Sequence, residues 1–404
     1  MQYVFLIDAN SGAIRRIAVP KDGFGISSVA WSGRGDEFVY SVAESVAGGF
    51  GNSGSPGWIM AQNARTGVSR RIFWSPYGAS VFAIAGPGRL VFDTRSRREN
   101  LREFKIGQPA GSTPVRWLTR GNSNDRQPAY SPDGQRVIFS SNGSGTLDLW
   151  ELSTHNGMLR RLTDHPAEDW DPAYMPDGKR IIWSSNRGGN FEIWMANADG
   201  SGARQITRDG VDAENPTATP DGNWILYSST NPDKPGLWKI RSDGSKASRL
   251  IAGGILLPET SPDGRFVSFG SNILSESATL RVVGVADGSP QPFVVRLPIR
   301  NSNAGGSVGR SRWMPDGRAI AFIGQNENGI NGIFVQEFEP GKDTSATRRP
   351  LCCFDPEAAT ESFGISPRDS RMTVAVWEQI FSLVSAERMP SVLPPARTVT
   401  APGH

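Results

Sequence analysis

The side chains with chemical capacity in this sequence recur at one place in a repeated unit. At the start of successive short β-type segments stand Asp125 and Arg126, Asp169 and Asp171, Glu214 and Asn215, Glu259, Arg310 and Arg312, and Glu361. Carboxylates in a group can do acid–base work when their surroundings split their pKa values. Asp169, Asp171 and Glu214 are the set best suited to that. The same mixture of carboxylate, amide and guanidinium can instead bind a peptide or a small polar ligand, or cap backbone groups of neighbouring segments. Other chemistry is scarce. The three histidines, His155, His165 and His404, are too scattered for a histidine metal cluster. An all-carboxylate calcium site is allowed. Asp8-Ala9-Asn10-Ser11-Gly12 hints at one, but lacks the distant Glu of an EF-hand and reads equally as a hairpin turn. Cys352 and Cys353 are adjacent, so they cannot staple distant segments. They are either a redox- or metal-sensitive pair or buried thiols. Gly305-Gly306-Ser307-Val308-Gly309 matches a nucleophile-elbow pattern, but it sits in a Gly/Asn/Ser loop rather than between a strand and a helix.

Composition bounds what can position these residues. The chain has 404 residues, with 46 Gly, 29 Pro and 37% hydrophobic residues. That implies many turns and short elements, and argues against a helical bundle or coiled coil. Lys+Arg is 43 against Asp+Glu 40, a net charge of +3, too small for a nucleic-acid or membrane-surface partner. No apolar stretch is long enough to span a bilayer. The run Tyr3 to Ile7 is too short for a signal-peptide core. The expectation is therefore no membrane insertion and a cytoplasmic chain, or a periplasmic or extracellular one if this is part of a longer protein.

The elements repeat. Pro-Asp-Gly turns begin at Pro132, Pro176, Pro220, Pro262 and Pro315. Degenerate copies lie at Gly33-Arg34-Gly35, Pro87-Gly88 and Pro367-Arg368-Asp369. The spacing of about 42 to 54 residues is that of a four-stranded propeller blade. Pro presets φ for a type I turn, and Asp and Gly suit the positions after it. A β-branched or aromatic run follows each turn, as in Arg180-Ile181-Ile182-Trp183. A third segment carries Trp150, Trp194 or Trp238, read as packing between units, and a second turn leads to a fourth strand. The expected fold is all-β: a circularly closed β-propeller of four-stranded antiparallel blades. Eight turns suggest eight blades, or seven if 78–116 is incomplete. One domain would cover 1–386, with hairpin 3–19 completing the last blade and 387–404 a disordered Pro-rich tail. The Gly- and Ser-rich insertion Ala43 to Gly57 is a second candidate binding segment.

The unit Trp170-Asp171-Pro172-Ala173-Tyr174-Met175-Pro176-Asp177-Gly178, with Ile181 to Arg187, Glu192-Ile193-Trp194 and Gln205-Ile206-Thr207, resembles the TolB-type (PD40, WD40-like) propeller repeat. The resemblance is strongest over 117–270, good over 310–386 and weaker before 117. It implies a non-catalytic module that binds a protein, peptide or small polar ligand at a channel mouth, with the residues named above as a ring around it. It implies no cofactor, calcium aside. Similar propellers are fused to some bacterial serine/threonine kinases or precede the hydrolase domain of prolyl-oligopeptidase-like enzymes. A sensor or scaffold half of such an assembly, or a propeller hydrolase or lyase using channel carboxylates, are the alternatives.

Overall fold

The computed structural model describes residues 2–19, 24–32, 36–43, 57–75, 82–86, 89–107, 116–271, 278–297 and 310–387. Residues 44–56 of the insertion Ala43 to Gly57, the Gly305–Gly309 motif and nearly all of the tail lie outside them. Among the described residues the only helical segment is a 3-10 turn, Ser345–Thr347, and no helix is long and apolar enough to cross a membrane. The chain divides into two compact units, residues 98–378 and residues 1–97 with 379–404. The strands Arg89–Lys105 and Arg371–Ala386 each contribute residues to both.

In the larger unit five antiparallel four-stranded sheets follow in chain order, each strand pairing with the next. Their first strands are Asp125–Tyr130, Asp169–Tyr174, Ala213–Ala218, Ile255–Thr260 and Ser311–Trp313. A further sheet starts at Ala358–Ile365, which pairs with Arg371–Ala386. This sheet has five strands: Arg89–Lys105 comes next, its first residues pairing with Phe82–Gly86 and its last with Arg116–Trp117. Each first strand contacts the first strand of the following sheet, and Ala358–Ile365 contacts Asp125–Tyr130. Apolar side chains fill the space between each adjacent pair. Ile138, Leu149, Ile181 and Trp183 form one such layer, and Leu101, Phe139, Leu152 and Ala375 join the last sheet to the first. Trp150, Trp194 and Trp238 pack at these layers, as their repetition suggested. A sheet with two apolar faces must be covered on both, and its neighbours do that.

The repeated turns explain the hairpins. In Thr219-Pro220-Asp221-Gly222, the Asp221 carboxylate accepts the Asn223 N–H at 3.0 Å and the Thr219 hydroxyl at 2.5 Å. Gly222 closes the turn at φ +70°, a left-handed conformation that costs an L-residue about 1–2 kcal/mol. An added Cβ there would meet nothing within 4 Å. Gly222→Ala will therefore lower stability by about 1 kcal/mol through backbone conformation alone. Urea denaturation checks this, and an unchanged midpoint would show that the left-handed turn is dispensable.

In the smaller unit the strands Phe24–Trp31, Glu37–Ala43, Gly57–Asn63 and Ser69–Ser75 form one four-stranded sheet. The N-terminal hairpin, Gln2–Ile7 with Ile14–Val19, pairs only with itself among the described strands. Strand alternation puts Val4, Leu6 and Ile17 on one face, and that face packs on Phe38, Tyr40 and Met60. The segment Asp8 to Gly12 is its turn. Asp8 Oδ1 accepts the Asn10 and Ser11 N–H groups and the Ser11 hydroxyl.

Candidate functional site

The first strands of the larger unit share an irregularity. In Asp125–Tyr130, Asp169–Tyr174, Ala213–Ala218 and Ile255–Thr260 the register with the second strand slips at the third and fourth residues. The fourth residue is Pro in each: Pro128, Pro172, Pro216 and Pro258. Proline has no N–H to give the ladder, so a bulge is where it fits. The third residue takes a left-handed conformation: Gln127 (φ 58°), Asp171 (50°), Asn215 (56°) and Leu257 (57°). Non-Gly residues with φ above zero number six among the described residues, and these four share one position. All four line a single cavity of about 270 Å³, with Glu259, Arg310 and Arg312. Its wall continues through Tyr130, Tyr174 and Pro367.

A chain of hydrogen bonds ties the lining together. Ser362 Oγ accepts the Gln127 N–H (2.8 Å), and Gln127 Oε1 accepts the Asp171 N–H (3.0 Å). Asp171 Oδ2 accepts from the Asn215 amide at 2.5 Å. Asn215 Oδ1 accepts the Leu257 N–H at 3.2 Å and the Ser228 hydroxyl at 3.0 Å. Arg310 crosses to this chain and donates from Nη2 to Asp171 Oδ1 at 2.9 Å, with both side chains buried. The Arg310 Nε is buried and makes no hydrogen bond. Burial alone would lower the Arg310 pKa. The charges of Asp171, Glu361 and Glu259 outweigh it and hold the group above its ordinary value. Arg312 donates to Glu259 at 2.8 Å. Burial raises the Glu259 carboxyl against the opposing pull of Arg312 and Arg310.

The ten ring candidates thus separate. Asp171, Asn215, Glu259, Arg310 and Arg312 line the cavity, and buried Glu361 acts electrostatically on Arg310. Asp125 and Asp169 are turned into their own sheets. Asp125 accepts from Ser123 and Ser141, and Asp169 from Trp183 Nε1 and Arg187. Both are buried and hold their strands in place. Arg126 faces Glu99 at 3.6 Å. Glu214 is half-buried, and burial followed by the charges of Asp171 and Asp212 pushes its carboxyl up to about 8. Asp169, Asp171 and Glu214 therefore do not converge as one carboxylate set. Gln127 and Leu257 line the cavity without having been singled out. The X-Pro step at 127, 171, 215 and 257 is the signal that marks them. Two of the three histidines serve turns, and His404 lies outside the described residues. His155 is exposed, and His165 Nδ1 accepts the Ala167 N–H at 3.0 Å. Among the described residues no group of three or more His, Cys, Asp or Glu is placed to hold a metal ion.

Repeated antiparallel four-stranded sheets whose bulged first strands line one polar cavity fit a propeller-type module. The comparisons with known proteins agree. Residues 109–256 match the TolB beta propeller domain. The Tol-Pal system protein TolB of Actinobacillus succinogenes is 30% identical over 127 residues, covering 30% of this chain and 29% of that protein. An uncharacterised protein of Agrobacterium fabrum is 31% identical over 91 residues, covering 22% of this chain and 27% of its own. The matches thus span under a third of either relative. The solved structure of a TolB-type protein from Agrobacterium tumefaciens superposes with a TM-score of 0.52 at 19% identity, over 70% of this chain and 99% of that one. Over residues 109–256 the chain is thus similar to TolB-like β-propeller proteins.

Proposed function

We propose that residues 98–378 form a six-bladed propeller that binds an extended peptide segment of a partner protein in the axial cavity. Six sheets fit that reading, because the first strands contact one another in a cycle and the last sheet takes Arg89–Lys105 and Arg116–Trp117 as its outer strands. The eight or seven blades suggested by turn counting would need the strands before residue 98 to join the same ring, whereas they belong to the other unit. Of six non-Gly residues held at positive φ, four line one cavity, and this observation carries the binding reading. Backbone strain concentrated at one spot is a pointer to function. The lining suits a peptide. Its polar end offers Asp171, Asn215, Glu259 and Arg312, with an unsatisfied Arg310 Nε, and its wall is proline and tyrosine. Two carboxylates, Asp171 and Glu259, face two guanidinium groups, Arg310 and Arg312, so the lining offers both charges to a polar peptide backbone or side chain. The resemblance to TolB-like propellers, generally protein-interaction modules, points the same way.

Selection of random displayed peptides against the chain tests this reading. Peptides retained by the parent chain will bind Glu259→Gln and Arg312→Ala at least about tenfold more weakly. Recovery of no peptide, or of peptides that bind parent and variants equally, would overturn it.

A further inference from the structure

Cys352 and Cys353 are joined by a disulfide. They stand where the outer strand Arg349–Cys352 ends and the link to the next first strand, Ala358–Ile365, begins. Cys353 is held at φ +74°, a conformation in which only Gly is at ease. The bond between neighbouring residues closes a small ring that includes the peptide between them, so it restrains the backbone at that point. Both cysteines are half-buried, packed on the cluster that includes Ile323, Ile333 and Phe363, and remain within reach of a small reagent.

The link leaving this ring is seated closely. Phe354 packs edge-on against Phe334 at 5.1 Å, over Gly332, where an added Cβ would stand 2.4 Å from the Phe354 ring. Asp355 pairs with Arg102 at 3.5 Å. The Cys353 carbonyl accepts from the Thr360 hydroxyl at 3.5 Å. Thr360 is followed by Glu361, one of the carboxylates acting on Arg310.

We propose that Cys352 and Cys353 form a redox modification site, a vicinal disulfide that a dithiol reductant opens, freeing the link 353–357 and through it the placement of Glu361. The reductant's two thiols become its own disulfide. Its two electrons cleave the Cys352–Cys353 bond, and two protons complete the two new thiols, so the exchange balances. Once the ring is open nothing covalent keeps Cys353 left-handed. The residue then relaxes toward ordinary extended backbone, and the start of the link turns with it.

Two readouts test the site itself. Under native conditions the oxidised chain will take no N-ethylmaleimide, and after dithiothreitol it will take two per chain by intact mass. Amide hydrogen exchange over 353–361 will then run about fivefold faster in the reduced chain. The Cys352→Ser, Cys353→Ser variant will show the fast rate with or without reductant. Adducts without reductant would overturn the proposal. So would equal exchange in the two redox forms, or a rise spread over the whole chain, which would make the bond a general brace. The effect on function rests on the peptide-binding reading and is read separately. Selected peptides will bind the reduced chain more weakly than the oxidised one. Equal affinity would remove the coupling to the cavity, while failure to select any peptide would leave the mass and exchange results to decide the site.

Discussion

Arg310→Met will destabilise the protein by about 3–5 kcal/mol at pH 7, well above the loss from Asp171→Asn, about 1–2 kcal/mol. The asymmetry follows from the charges present. Arg310 is buried and answers Asp171, Glu361 and Glu259 together. Removing it leaves those carboxylates facing one another with Arg312 as the remaining cation at the cavity, already bonded to Glu259. Removing the Asp171 charge leaves Arg310 with Glu361 and Glu259 still near, and Asn at 171 keeps an oxygen for the Asn215 amide. These figures describe broken clusters. They do not measure what the intact pair adds over an apolar replacement. Because neighbours in one network do not add, the double variant will lose less than the two single losses combined. The Arg310→Met loss will also shrink as pH falls toward 4, since Glu259, held above the ordinary carboxylate value by burial, then takes up a proton and no longer needs a cation. Urea denaturation at both pH values measures all three quantities. An Arg310→Met loss below about 1 kcal/mol would show that water already screens the cluster.

The architecture was readable from the turns, because Pro-Asp-Gly has one backbone solution and recurs at blade spacing. Sheet membership before residue 117 was not. There the turns are degenerate, and the outer strands of the last sheet, Arg89–Lys105 and Arg116–Trp117, carry no turn motif that announces their partner. Charge and residue type picked out these strand starts, but not the direction each side chain faces. Neighbouring residues on a strand point to opposite sides, so Asp169 and Asp171 belong to one face, and only a bulge separates them. The register slip after Trp170 sends Asp171 toward the cavity while Asp169 stays with Trp183 and Arg187. The same slip turns Gln127 inward and leaves Asp125 bonded to Ser141. Proline at the fourth place of the strand is visible in the sequence. Its physical meaning is a missing ladder donor, and that marks the bulge.

Glu214→Gln will make the protein more stable than its parent at pH 8 and leave it unchanged below about pH 4.5. The Glu214 carboxyl stands at about 8 in the folded chain against an ordinary value of 4.5. Between those values the unfolded chain has lost the proton and the folded chain keeps it. The folded state therefore binds more protons, and this group's contribution to stability falls as pH rises through that window, levelling off above 8. Full conversion at about 1.4 kcal/mol per pH unit would overstate the effect for a half-buried side chain, so a gain of about 1–2 kcal/mol is expected. Burial is the larger cause and the Asp171 charge the next. A carboxyl-carbon NMR titration of Glu214 in Asp171→Asn will consequently give a midpoint lower than in the parent, but still above the ordinary carboxylate range. A parent midpoint near 4.5 would mean that water reaches the Glu214 carboxyl freely. An unmoved midpoint in Asp171→Asn would mean that burial alone sets it, and that Glu214 does not sense the charge of the cavity lining.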